Sequence, residues 1–332
     1  MEFSFDLSLA WAAIIAFGVV VYVVLDGFDL GVGILFPFAR SHEDRDAMMN
    51  SIAPVWDGNE TWLVLGGAGL FGAFPQAYAI LLSGLYIPLM LMLFALILRG
   101  VSFEFRFKAH SSRYLWDISF TAGSMLAAFT QGIVVGAVVQ GIPEQVTPFH
   151  WLTPFSLFTG LAVVCGYALQ GATWLVMKTE NDLQDWAYGK SNALLFALLV
   201  FVGGVSVWTP YIEPRIAERW FSLPNFYFLS QVPLLTLIVA GSLWYTLKRR
   251  RNDRLPFVFG IVLFLLAYAG LAISVWPYLV PWRLTLWEAA STESTQIFLL
   301  VGTLIILPFV IGYTAIGYRV FRGKVRSDAG YH

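Results

Sequence analysis

The sequence has little charge and almost no cysteine. Asp, Glu, Lys and Arg make up 12% of its 332 residues, against roughly 25% in an ordinary soluble domain. A soluble globule of this size would have too little polar surface to present to water. The single cysteine, Cys165, excludes an internal disulfide and any multi-cysteine metal site. The four histidines, His42, His110, His150 and His332, all fall outside the long apolar runs. A net charge of −1 gives no electrostatic reason to expect nucleic acid or an anionic surface as partner. No Gly-rich phosphate loop or hydrolytic triad is visible.

What the chain does have is apolar length, with 58% of its residues hydrophobic. A membrane helix needs about 20 mostly apolar residues to cross a hydrocarbon core about 30 Å thick. Charge-free stretches of that size recur along the chain. Together they predict an all-α polytopic membrane protein with about nine transmembrane helices, near 8–36, 51–73, 77–98, 115–139, 154–177, 191–209, 231–247, 255–277 and 295–318, joined by short loops. Ala73-Phe74-Pro75-Gln76 is the expected turn between the second and third. With nine spans, all of the 20 Lys and Arg except Arg215, Arg219 and Arg283 fall on one side of the membrane. Basic loops stay inside, so the N-terminus is expected to be periplasmic and the C-terminus cytoplasmic. Nothing basic precedes Arg40, so the first span is read as a retained anchor. Residues 1–332 are read as a single integral-membrane domain.

Acids inside spans carry the functional signal, because a charged Asp at the centre of a membrane helix costs about 2.5–3.5 kcal/mol. Asp26 and Asp29 stand three apart on the first span and share a face. Gly27 and Gly31 beside them would admit another backbone at close range. Asp57 and Glu60 repeat the spacing near the start of the second span, next to Trp56 and Asn59. The first span runs inward and the second outward, so four carboxylates are expected to converge at one depth. Acids crowded in a low dielectric exchange protons near neutral pH, which is what a proton path requires. The plainer alternative is that they cap helix ends at the interface. Arg99 and Glu104, at the expected cytoplasmic end of the third span, read either as a solvated charge cluster or as support for an acid of the inlet or of a partner. Gln131-Gly132 and Gln170-Gly171 read as polar glue between helices. Membrane haem takes its axial ligand from His, Met or Cys. With no histidine in a span and methionine mostly a packing residue, no catalytic residue, metal site or bound redox cofactor is expected in this chain.

Three motifs add a family resemblance. Asp26-Gly27-Phe28-Asp29-Leu30-Gly31-Val32-Gly33, the segment Asn50 to Trp62 containing Trp56-Asp57-Gly58-Asn59-Glu60, and Arg99-Gly100-Val101-Ser102-Phe103-Glu104-Phe105-Arg106 closely resemble subunit II of the cytochrome bd ubiquinol oxidases. The late run Ser274 to Tyr278, with Leu286 to Ser291, is similar to that family's last external loop, and its Trp287-Glu288-Ala289 form to the cyanide-insensitive branch. The resemblance implies a subunit of a quinol-oxidising, oxygen-reducing terminal oxidase of a bacterial inner membrane, built as two four-helix bundles plus one peripheral helix. It implies a partner, subunit I, that holds two haem b, one haem d and the ubiquinol site, while subunit II is haem-free. Small single-helix accessory subunits, membrane lipids and, in some members, a structural quinone accompany that assembly. The resemblance gives Asp26 and Asp57 a place on a path for protons toward the oxygen-reducing haem. At position 60 some members carry Gln where this chain has Glu60. From the residues alone, the competing reading is a secondary transporter with acids at a broken helix.

Overall fold

The computed structural model describes residues 6–109 and 111–325. His110, Arg326 and His332, which entered the sequence reading, lie outside them. Helix α1 (Leu7–Leu35) starts where the Asp6 side chain accepts from the Leu9 amide, and it ends in a 3-10 turn at Phe36–Phe38. The short α2 (His42–Asn50) is capped by Ser41 and was not foreseen. Then come α3 (Trp56–Ala73), α4 (Pro75–Gly84), α5 (Tyr86–Arg106), α6 (Arg113–Gln140) and α7 (Pro154–Lys178). The second half holds α8 (Asn181–Ile212), α9 (Pro214–Phe221), α10 (Asn225–Leu229), α11 (Gln231–Arg249), α12 (Leu255–Val275) and α13 (Glu293–Val320). An antiparallel hairpin, β1 (Tyr278–Val280) with β2 (Leu284–Thr285), lies in the last long loop.

Among the described residues, eight helices are long and apolar enough to cross a membrane. Of the nine expected, α3 falls short on composition, because Asp57, Asn59 and Glu60 occupy its first turns. It still packs along α1, as a spanning helix must. The third span also differs. Pro75, with no amide hydrogen to give, closes α3 and opens α4, as the expected turn required. The helix then breaks again at Leu85, so α5 begins later than expected and runs on to Arg106, placing Arg99 inside it. Helix α8 starts about three turns early and lifts Asp182, Asp185 and Lys190 onto a helical extension.

Helices α1, α3, α5 and α6 form one four-helix group, and α7, α8, α11 and α12 a second. Helix α7 also packs on α1, joining the two. At that crossing a β-carbon on Gly31 would run into the Tyr167 carbonyl, and one on Gly171 into the backbone of Gly31. Gly27 and Gly31 thus admit a partner backbone, as their spacing predicts, and the partner is α7. Helix α13 lies outside both groups against α3 and α1, with none of its most apolar stretch buried.

Cross-ties define the two ends. At the basic end, buried Arg106 reaches Asp117 at 2.5 Å and Asp46 at 2.8 Å, and Arg113 also holds Asp46. Lys324 pairs with Asp253 at 2.8 Å, and Lys178 donates to the carbonyls of Phe321 and Gly323. At the other end, Trp11 donates to the Gln296 carbonyl, Trp287 to Asp6 and Trp282 to the Val139 carbonyl.

Candidate functional site

Asp26 and Asp29 sit about two and a half and about one and two-thirds turns before the basic end of α1, turned toward α3 and α5 and away from the glycine face that meets α7, and both are fully buried. Arg99 comes to them from α5. It is 0% exposed, and its Nη2 lies 2.7 Å from Asp26 Oδ1 and 2.7 Å from Glu60 Oε1. The Glu60 contact is an aligned hydrogen bond, whereas the Asp26 contact is an ion pair without that alignment. Glu60 keeps 27% of its side chain exposed, so it joins the buried pair to the surface.

The guanidinium is held by packing as well as by charge. Its carbon lies 6.0 Å from the Trp56 ring, which stacks on Phe103 with centroids 4.8 Å apart. A side chain at Gly100 would press on Trp56, and one at Gly123 would meet the backbone of Arg99, so both α3 and α6 close on this part of α5. A buried charge pair is retained only with such support, because desolvating two ions costs several kcal/mol each.

Asn59 serves the second acid. Its Nδ2 donates to Asp29 Oδ2 at 2.6 Å and to the Leu25 carbonyl at 3.3 Å, and its Oδ1 accepts from the Tyr318 hydroxyl at 2.8 Å. A side chain from peripheral α13 therefore reaches the cluster, which no local sequence signal announces. Sequence reasoning also missed a buried chain one turn above Asp26 on α1. There the Tyr22 hydroxyl accepts from Gln131 Nε2 at 2.8 Å, and Gln131 Oε1 accepts from the Tyr167 hydroxyl at 2.7 Å. Gln131 is polar glue between helices, as its sequence suggests, since it ties α1, α6 and α7 together. The signal that could have found the chain was Tyr22 lying four residues before Asp26. Gln170 is buried beside Gly27, with both amide atoms unpartnered among the described residues.

Two expectations need correction. Three of the four carboxylates converge, but Asp57 is exposed on the outer face of α3 and takes no part in the buried cluster. It lies in the first turn of α3, where a negative charge also complements the helix dipole. A spacing of three puts residues on neighbouring positions of a helix surface about 60° apart. Here that angle is enough for Glu60 to turn inward while Asp57 turns out. Arg99 and Glu104 also separate. Arg99 is buried at the cluster, whereas Glu104 is 64% exposed and pairs only loosely with Lys108 at 3.5 Å, as a solvated charge does.

Among the described residues, no group of His, Cys, Asp and Glu is arranged to hold a metal ion. Residues 7–321 match the family described as cytochrome bd terminal oxidase subunit II. The chain belongs to that family. It is 28% identical to the cytochrome bd-I ubiquinol oxidase subunit 2 of Escherichia coli K12, over 97% of this chain and 96% of that protein. It is 29% identical to the cytochrome bd ubiquinol oxidase subunit 2 of Bacillus subtilis 168, over 95% and 96%. The bd oxidase of Geobacillus thermodenitrificans has a chain that superimposes with a TM-score of 0.75 at 18% identity, covering 95% of this chain and 98% of that one. At that identity the likeness is one of fold. As a bd subunit II, the chain is a multi-pass membrane component of a respiratory terminal oxidase, an enzyme complex that contains a first subunit and haem. The secondary-transporter alternative is thereby set aside.

Proposed function

We propose that this chain is the haem-free second subunit of a quinol-oxidising, oxygen-reducing oxidase in a bacterial inner membrane, and that its acid cluster is a cytoplasmic proton inlet. It inserts as one domain with the N-terminus periplasmic and the C-terminus cytoplasmic, so the basic end faces the cytoplasm. The observation that carries the inlet is the buried Arg99 shared by Asp26 and Glu60, with Glu60 alone of the three inward-facing acids reaching the surface. One cation stands against three carboxylates, so the cluster approaches neutrality only by taking up protons. Glu60 receives them at the surface and Asp26 holds them at depth. Asp29, bonded to Asn59, is positioned beside that route by α13.

Haem does not suit this chain's own residues. The described histidines are His42, at the start of α2, and His150, in the loop before α7, and neither lies on a spanning helix. The electron chemistry therefore belongs to subunit I, with its two haem b and one haem d, and ubiquinol is the substrate named for the relatives above. A carboxylate facing hydrocarbon is unfavourable, by about 2.5–3.5 kcal/mol at mid-membrane and by less toward the interface, where Asp57 lies. Asp57, exposed on α3, is thus a residue for the partner subunit to cover, and it extends the inlet to the subunit boundary.

The test is Asp26→Asn and Asp57→Asn in the assembled complex. Each keeps shape and hydrogen bonding while removing the exchangeable proton. Haem content per complex stays normal, oxygen consumption with excess quinol falls, and proton uptake during a single turnover slows. Full turnover with unchanged proton uptake in both correctly assembled variants would refute the inlet.

A further inference from the structure

A groove of about 630 Å³ lies at the basic end, between the first three turns of α8 and the 3-10 turn that follows α1. It is lined by two cations, Arg40 and Lys190, by two acids, Asp182 and Asp185, and by the rings of Phe38 and Trp186. Lys190 Nζ sits 5.2 Å from the Phe38 ring and 5.6 Å from that of Trp186, so its charge is held between two aromatic faces. At Gly189 the groove is open, since a β-carbon there would meet nothing within 4 Å.

The lining changes character along α8. From Asp182 to Ala193 the helix rises about 16 Å, passing from charged to apolar over a distance comparable to the headgroup layer and the start of the acyl layer. A ligand that matches this step has a charged head and an apolar tail. The charge pattern then narrows the head. Arg40 and Lys190 suit a phosphate, and the basic end is where anionic groups are drawn to the membrane surface. A purely anionic head would meet repulsion from Asp182, which makes no ion pair among the described residues. The other lining acid, Asp185, is already paired with Arg250 at 2.5 Å. A quaternary ammonium would seek an aromatic face, and both ring faces are already engaged by Lys190. A primary ammonium is what the free carboxylate accepts.

We propose that this groove binds a phospholipid whose headgroup carries a phosphate and a primary ammonium, with Arg40 and Lys190 on the phosphate and Asp182 on the ammonium. The acyl chains then run past Ala193 along the apolar part of α8. No residue of the acid cluster takes part.

The experiment uses the purified oxidase complex, stripped of lipid and supplied with phosphatidylethanolamine, phosphatidylglycerol or phosphatidylcholine of identical acyl chains. Retained lipid is counted by native mass spectrometry. Phosphatidylethanolamine is retained above the other two. Asp182→Asn lowers that preference over phosphatidylglycerol by about two- to fivefold, the effect of one partly exposed ion pair. Arg40→Gln combined with Lys190→Gln weakens retention of every phospholipid. Gly189→Phe, which fills the groove at a helical position where a side chain has room, abolishes retention without altering charge. Equal retention of phosphatidylglycerol, an unchanged preference in Asp182→Asn, or full retention in Gly189→Phe would overturn the proposal. So would equal competition by glycerophosphoethanolamine, which has the headgroup without the acyl chains.

Discussion

Arg99→Met keeps a long unbranched side chain on α5 but removes the guanidinium that lies 2.7 Å from both Asp26 and Glu60. Asp26 is fully buried, so the change strands a carboxylate in a low dielectric. Breaking a buried pair in this way costs about 3–5 kcal/mol. Glu60 is 27% exposed and keeps access to water, so its share is no more than about 1 kcal/mol. Lost contact with the Trp56 ring adds about 0.5–1 kcal/mol. Against a typical fold stability of about 5–15 kcal/mol, such a loss should lower both the yield of assembled complex and its thermal midpoint. The double variant Arg99→Met with Asp26→Leu removes the stranded charge together with its partner. Replacing a whole buried pair by apolar groups is often close to neutral, so the double variant should be more stable than the single one. It should nevertheless be inactive, because the proton-holding carboxyl is gone. Thermal loss of haem absorbance and oxygen consumption with excess quinol measure the two effects separately. A single variant as stable as the unaltered complex, or a double variant less stable than the single, would refute the reasoning.

Three further expectations follow from the same geometry. Gly31→Ala places a methyl group against the Tyr167 carbonyl and forces α1 from α7, a cost of about 1–3 kcal/mol that should appear as reduced complex in the membrane fraction. Glu104→Gln should leave stability within about 0.5 kcal/mol and turnover unchanged, because its pair with Lys108 is solvated. Partial burial pushes the Asp46 carboxyl up, but Arg106 and Arg113 together outweigh it and hold the group below the usual carboxylate range. Its stabilising contribution is then fully present above the ordinary pKa of about 3.9 and is lost as pH falls through the lower folded value. Asp46→Asn should accordingly lower the thermal midpoint at neutral pH, with the difference from the unaltered chain shrinking as the melting buffer is acidified through that range.

The membrane class, the approximate spans and the acids of α1 and α3 were legible in the sequence because each depends on local quantities. Apolar length decides whether a helix can cross, and a spacing of three decides which residues are neighbours on its surface. The close α1–α7 approach was half legible: Gly27 and Gly31 announced a partner without saying which helix supplies it. The tertiary structure decided how each helix is rotated and where it ends. Arg99 stands at the edge of a charge-free run, where interfacial arginines are ordinary, and the late start of α5 carries it inside the bundle. Asp57 and Glu60 read alike in the sequence, as two acids meant for one depth, yet the rotation of α3 exposes the first and turns the second toward Arg99. The Tyr22–Gln131–Tyr167 chain and the reach of Tyr318 to Asn59 join residues 109, 36 and 259 positions apart. Periodicity within one helix carries no information about which residue of another will face it; that is settled by packing all the helices together.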